Sequence, residues 1–130
     1  MKIGLMSGSG TDQDPSLEGL IAYAKRCEDK GFSHFWMANI FEFDAITALS
    51  LIGRETATVG LGTAVVPSYP RHPAALAQQA MTAAVATQGR FELGVQFLDQ
   101  DDAFRVRMVE QACHISEYRE DTQQVTGRRM

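Results

Sequence analysis

The chain has no run of about 18 apolar residues, the length needed to cross a bilayer, so neither a transmembrane helix nor a membrane partner is expected. Its 12 Lys and Arg residues form no cluster and its net charge is -4, which argues against a nucleic-acid-binding surface. The opening residues, MKIGLMSGSGTD, contain one Lys and a very short apolar stretch, unlike a signal peptide. We therefore expect a cytoplasmic protein.

Cysteine and histidine are also scarce. The two cysteines, Cys27 and Cys113, lie far apart within helical patterns. Buried thiols are the favoured interpretation, and a disulfide between them stays open. No metal-ligand spacing, catalytic triad or Walker sequence occurs, so we expect no metal and assign no catalytic residue from the sequence.

Strand and helix patterns alternate along the 130 residues, which we interpret as one domain spanning 1–130. Strands are predicted at 2–6, 34–39, 58–66 and 91–96, each followed by a helix, the last between about Arg105 and Val125. This alternation is typical of a parallel sheet with right-handed crossovers. A complete (β/α)8 barrel needs eight such units and roughly 250 residues. The predicted fold is therefore α/β, a parallel (β/α)4 half of a TIM-type barrel, truncated relative to the full (β/α)8 form.

The most informative stretch is Val59 to Gly94, which reads as a strand, a proline-punctuated loop, an Ala-rich helix and a second strand. In the first of these strands, alternation predicts one face with Val59, Leu61, Thr63 and Val65, and another with Gly60, Gly62 and Ala64. A face of Gly and Ala lets a flat or bulky group approach the backbone. That group is either an isoalloxazine-like ring or a neighbouring layer of protein, and the pattern alone leaves both open.

This stretch resembles the luciferase-like monooxygenase family, in particular the oxidoreductases that use the deazaflavin F420. In those enzymes a strand similar to residues 60–65 ends in a non-prolyl cis peptide that backs the deazaflavin ring, and the corresponding bond here is Ala64–Val65. Further matching segments are Pro67, Tyr69-Pro70-Arg71-His72-Pro73 and Gly89-Arg90-Phe91-Glu92-Leu93-Gly94-Val95. The resemblance covers residues 1–95, the N-terminal half of the family's fold.

The resemblance implies hydride or oxygen transfer through FMN or F420 on a small organic substrate, with the cofactor carrying the redox step. It also implies that the cofactor-binding residues lie at the carboxyl ends of the strands. The candidates are Ser7, Gly8, Asn39, Thr63, Ala64, Val65, Gly94 and Gln96.

Two positions depart from the family pattern. Gln96 stands where the family has a pocket-facing Gly, and Asn39 keeps a polar group where several F420 enzymes carry an acidic residue and a His. Phosphate sites of such barrels are typically built after strands 7 and 8. Arg71 is then the one internal substitute for gripping a phosphate, so we expect weak or absent binding of FMN or F420. The alternative function is a catalytically inactive barrel remnant with only a structural or assembly role.

A half barrel also leaves two parallel sheet edges open, which native proteins rarely leave uncovered. We therefore expect a homodimer that covers these edges. Met6, Trp36 and Phe97 are the candidates for the buried contact, because each lies on or beside a strand that lacks partners in one half barrel.

Overall fold

The computed structural model of the chain describes residues 1–7, 16–40 and 42–96. Its elements follow in chain order: β1 Gly4–Ser7, α1 Leu17–Asp29, β2 His34–Met37, α2 Ala45–Glu55, β3 Gly60–Thr63, β4 Val66–Pro67, α3 Pro73–Ala86, β5 Phe91–Glu92 and β6 Val95–Gln96. Gly8, Phe97, Cys113 and the helix predicted near 105–125 lie outside the described residues.

The strands form a parallel four-stranded sheet in the order β1-β2-β3-β5, and β4 pairs with β6 in a separate parallel ladder. Sequential neighbours joined by helical crossovers confirm the predicted α/β class and the half-barrel arrangement. Two neighbouring rows of aligned residues cross the sheet. One row is Leu5, Phe35, Leu61 and Phe91, and the next is Met6, Trp36, Gly62 and Glu92.

The prediction of continuous strands at 58–66 and 91–96 was wrong, because both are interrupted in the middle. At the interruption the Thr63 side chain, in place of the regular backbone ladder, forms the hydrogen bonds to the neighbouring segment. Gly94 N–H donates to Thr63 Oγ1 at 2.8 Å, and the Thr63 hydroxyl lies 2.9 Å from Gly94 O. Gly94 O also accepts Val66 N–H at 2.9 Å, so the two segments resume side by side as β4 and β6.

The outer strands also differ from their predicted bounds. β1 begins at Gly4 rather than residue 2 and continues through Ser7, and β2 ends at Met37 rather than residue 39. Ala38 N–H still donates to Ser7 O at 3.1 Å, after which the chain turns towards α2. Asn39 is drawn out of the strand because its side chain caps that helix.

The helices begin and end where the sequence places their signals. Ser16 caps α1 through Gly19 N–H, and Asp44 caps α2 through Thr47 N–H. Helix α3 begins at Pro73 directly after His72, whose Nδ1 accepts Ala74 N–H at 3.2 Å. Beyond α1, Gly31 adopts φ 77°, a conformation that glycine reaches at little cost.

The hydrophobic core lies between the three helices and one face of the four-stranded sheet. The sheet contributes alternate residues to it, and the helices contribute their apolar faces. Its largest fully buried side chains are Phe35, Phe91, Leu20, Met37, Ile46, Leu49, Ile52, Leu61 and Leu76. Cys27 is buried in the same cluster. None of the helices in the described residues is long and apolar enough to span a membrane.

The connection between α2 and β3 is held by two half-buried charged side chains. The Glu28 carboxylate accepts the backbone N–H groups of Ala57, Thr58 and Val59, with the shortest contact 2.7 Å to Thr58 N. From the other side, Arg90 donates to Gly53 O, Thr56 O and Val59 O at 2.8–2.9 Å. Together they fix the start of β3 in the sheet.

Partial burial raises the pKa of Glu28, but the backbone donors of Thr58, Val59 and Ala57 outweigh burial and lower that pKa to about 2. A carboxyl whose pKa in the folded state lies below its ordinary value of 4.5 stabilises the fold at pH values above 4.5. This stabilisation is lost as the pH falls from 4.5 through 2.

We expect Glu28→Gln to lower the free energy of unfolding at pH 7 by about 1–2 kcal/mol, because a neutral amide is a weaker acceptor for three N–H groups and the site is partly exposed. The loss should shrink as the pH falls from 5 to 2. Urea denaturation at a series of pH values measures both effects. Glu55→Gln is the matched control, since Glu55 forms an exposed ion pair with Lys25 and its replacement should change stability little. An equal loss in the two variants would contradict the assignment.

Candidate functional site

The candidate residues cluster at the carboxyl ends of the strands, where barrel enzymes place their active sites. Ser7, Met37 and Thr63 are aligned across β1, β2 and β3. Gly94 lies next to Thr63. The structure therefore brings the described candidates to one edge of the sheet, and Gly8 lies outside the described residues.

Two candidates face away from the open side of the sheet. Ser7 and Thr63 are each 1% exposed and belong to the face that the helices cover. The Thr63 hydroxyl is already bonded to Gly94. These residues support the edge rather than line it.

Four candidates form the accessible part of the edge. The Ala64–Val65 peptide bond is cis, as the resemblance implies. Val65 is 40% exposed, which corrects the expectation that it shares the buried face of Val59, Leu61 and Thr63, because regular alternation ends where β3 leaves the ladder. A Cβ atom at Gly94 would overlap Thr63 O and lie 3.3 Å from Val65 Cγ1, so only glycine fits there. Gln96 is exposed on β6.

Asn39 is engaged in the fold. Its Oδ1 accepts Ala45 N–H at 2.9 Å, which satisfies the first backbone donor of α2. Asp44 satisfies Thr47 N–H and the Thr47 hydroxyl at 2.9 and 2.7 Å. Two polar side chains therefore share the capping of one helix.

Arg71 is engaged as well. Its guanidinium forms an ion pair with Asp44 and lies 3.4 Å from Pro67 O, with the Arg71 side chain 18% exposed. Burial raises the pKa of Asp44, while its bonds to Thr47 and the positive charge of Arg71 outweigh burial and hold that pKa below its ordinary value. The expectation that Arg71 is available to grip a phosphate is therefore weakened, because a carboxylate already neutralises it.

The glycine face of β3 is covered by side chains of β2. A Cβ atom at Gly62 would overlap the Trp36 ring, and one at Gly60 would lie 2.7 Å from His34 Nε2. The two rings stack with centroids 5.6 Å apart and an angle of 14°. Of the two interpretations the sequence left open for this face, the structure shows a neighbouring layer of side chains at Gly60 and Gly62.

A polar chain runs across the same face. The Ser33 hydroxyl lies 3.0 Å from Ile3 O and 3.0 Å from His34 Nδ1, and His34 Nε2 lies 3.2 Å from Glu92 Oε1. These contacts link Ile3, the residue before β1, to Glu92 of β5. Sequence reasoning placed His34 at the start of a strand and assigned it no partner. The signal it missed is that His34 and Trp36 alternate in step with Gly60 and Gly62 on the adjacent strand.

Comparison with known proteins identifies the family of the chain. Residues 1–106 match the luciferase-like monooxygenase family. A Mycobacterium tuberculosis protein whose name describes a coenzyme F420-dependent oxidoreductase is 36% identical over 95 residues, which cover 73% of this chain and 27% of that protein. The chain belongs to the luciferase-like monooxygenase family, and it spans about a quarter of the length of this curated relative.

Solved structures share the fold. Monooxygenase RslO1 from Streptomyces bottropensis aligns with a TM-score of 0.69 and 21% identity, over 87% of this chain and 42% of that one. The oxygenating constituent of 3,6-diketocamphane monooxygenase from Pseudomonas putida, solved in complex with FMN, aligns with a TM-score of 0.65 and 15% identity, over 90% and 38%. Coverage below half of each neighbour agrees with a partial barrel.

The described residues fit one part of a flavin or deazaflavin. Exposed Val65, small Ala64 and exposed Gln96 leave an accessible apolar and amide surface against which a flat ring can lie. For the phosphate of such a cofactor the fit fails within the described residues, because Arg71 is paired with Asp44. The described residues also contain no group of three or more His, Cys, Asp or Glu side chains that could hold a metal ion.

We expect Asn39→Ala to lower the free energy of unfolding by about 1 kcal/mol, because the first N–H of α2 loses its acceptor. Since this side chain caps the helix, the affinity for FMN or F420 should stay within about threefold, well under the tenfold that corresponds to 1.4 kcal/mol. Thermal or urea denaturation and a cofactor titration measure the two effects. Gln79→Ala, which removes an exposed amide from α3, is the control and should leave both unchanged. A large loss of affinity without a loss of stability would mean that Asn39 contacts the cofactor.

Proposed function

We propose that this chain is a luciferase-like oxidoreductase module that binds the ring of FMN or F420 at the edge formed by Ala64, Val65, Gly94 and Gln96. The observation that carries the proposal is the geometry at this edge. Val65 stands exposed beside a glycine that cannot accept a side chain, at the carboxyl end of the central strand. Membership of the family supports the cofactor class.

When bound, such a cofactor supplies hydride transfer or oxygen activation towards a small organic substrate. The residues of this chain then bind and orient the ring. Val65 and Ala64 offer an apolar surface to one side of it, and the Gln96 amide can donate or accept a hydrogen bond at its rim. Thr63 holds Gly94 in place from behind through its two hydrogen bonds.

The affinity of one chain for the cofactor should be low. A charge-assisted contact to a phosphate contributes about 1.5–3 kcal/mol, and each missing 1.4 kcal/mol weakens binding about tenfold. Arg71 would have to leave Asp44 to make this contact, which breaks their ion pair and leaves the half-buried Asp44 carboxylate without its positive partner. We therefore expect micromolar affinity or weaker, with no cofactor retained through purification.

The second candidate function is a catalytically inactive barrel remnant that keeps the packing of the fold. Two observations favour it. Asn39 and Arg71, the polar groups closest to the family's binding pattern, are both committed to the start of α2. Gln96 also stands where the family has a pocket-facing glycine. A remnant would bind neither cofactor and would show no reduction of an added ring.

Titration of the purified chain with FMN and with F420, followed by quenching of the cofactor fluorescence, separates the two functions. If the chain binds the ring, we expect saturable quenching of the cofactor fluorescence, with a midpoint at micromolar chain concentrations or above. Val65→Glu should abolish the quenching, because it places a charge on the surface that holds the ring. The matched control is Val85→Glu, which makes the same change at a valine of α3 that is 72% exposed.

The possible results separate clearly. If Val65→Glu and Val85→Glu bind equally well, the ring lies elsewhere and the proposal is wrong. If no quenching occurs at millimolar cofactor, the chain is a remnant. Nanomolar binding with reduction of the bound ring would show that the phosphate is gripped by groups beyond Arg71.

A further inference from the structure

The face of the sheet opposite the helices is left open by the described residues. Met6 is 58% exposed and the Glu92 side chain 54% exposed, although both lie beside the stacked Trp36 and His34. The outer side of β1 is open as well. The carbonyl groups of Ile3 and Ser7 accept hydrogen bonds from the β2 segment, and alternate residues of a parallel strand direct their backbone groups to opposite sides. The backbone groups of Gly4 and Met6 therefore point to the side where no described strand lies.

We infer that a second copy of this chain covers this face and closes an eight-stranded barrel. The β5–β6 edge of each copy would pair with β1 of the other. A two-fold axis along the barrel relates the copies, and it keeps all eight strands parallel, as the TIM-type barrel requires. An isologous dimer of this kind satisfies both open edges at once, since each copy offers one edge of each type.

The inward layer suits such a closure. In this layer each aromatic ring of β2 lies against a glycine of β3, Trp36 against Gly62 and His34 against Gly60. Barrel interiors are filled in layers by side chains from alternate strands, which leaves no room for four bulky neighbours in a row. The glycines therefore make space for aromatic rings that a closed interior would shield from water.

Charge complementarity supports the same pairing. A row of paired residues followed once round an eight-stranded barrel returns to its first strand about eight residues nearer the start of that strand. Across the four strands of one copy, the shift is therefore about four residues. The row concerned here contains Met6, Trp36, Gly62 and Glu92. Four residues before Met6 is Lys2, which brings Lys2 of the second copy beside Glu92.

Sedimentation equilibrium of the 130-residue chain, without cofactor, tests the assembly separately from the proposed function. We expect a species of twice 14.3 kDa at micromolar concentrations. Met6→Lys should dissociate the dimer, because the interior of the closed barrel would then contain two additional positive charges, one from each copy. Leu51→Lys in α2 and Val85→Lys in α3 are the controls on the helical side, at 44% and 72% exposure, and should leave the dimer intact. Circular dichroism checks that each variant is folded.

The single tryptophan provides a second measurement, because Trp36 lies on the inward face. As the dimer is diluted, the fluorescence emission of Trp36 should shift to longer wavelengths, and its indole ring should become more accessible to quenching by acrylamide. A charge exchange tests the stagger: Lys2→Glu and Glu92→Lys should each weaken the dimer about tenfold, and the double variant should recover most of that loss.

Three outcomes would overturn the inference. The first is a monomer at high micromolar concentration, with Trp36 either exposed or shielded. The second is a dimer that Leu51→Lys dissociates and Met6→Lys leaves intact, which would place the interface on the helices. The third is a double variant no better than the single ones, which would contradict the pairing of Lys2 with Glu92.

Discussion

The parallel ladder around β3 is the constraint on which the rest of this structure depends. This strand pairs with β2 on one side and β5 on the other, and its register aligns every row of the sheet. Because alternate residues of parallel strands point to opposite faces, one row enters the core through Leu61 and the next reaches the open face at Gly62. The helices follow from this, since right-handed crossovers place all of them on the Leu61 side. The site follows too, because it forms where the ladder breaks after Thr63.

Much of this could be predicted from local signals. The N-caps Ser16 and Asp44 and the stop at Gly31 act within one turn of chain, so the sequence contains the whole cause. The break in β3 could not be read in the same way. It depends on the hydrogen bonds between the Thr63 hydroxyl and Gly94, 31 residues later, and the stretch from Leu61 to Val66, in which Thr63 is the one polar side chain, gives no sign of it. The resemblance to a family located the cis peptide Ala64–Val65 that lies at the break, while the break itself was not predicted.

The positions of the candidate side chains in the fold could be predicted better than the partners that these side chains contact. Strand ends are set by the hydrophobic pattern, and Ser7, Thr63 and Gln96 are each the last residue of a strand. What each side chain does there is decided by neighbours that are distant in sequence. Arg71 meets Asp44 and Asn39 meets Ala45 because the loops after β2 and β4 converge on the start of α2. Such pairings arise from tertiary packing, which a single sequence does not reveal.

The structure separates two kinds of feature along its strands. Near the strand starts, Glu28, Arg90 and the layer of His34 and Trp36 hold the sheet together. Three or four residues further on, at a rise of about 3.3 Å per residue, Ala64, Val65 and Gln96 form the accessible edge. In barrel enzymes conservation at the lower end concerns stability and the upper end carries the chemistry. An enzyme module and an inactive remnant would therefore share the lower features. The two differ only at the carboxyl ends of the strands. The proposed function therefore rests on the exposed surface at Val65 and not on the stability of the fold.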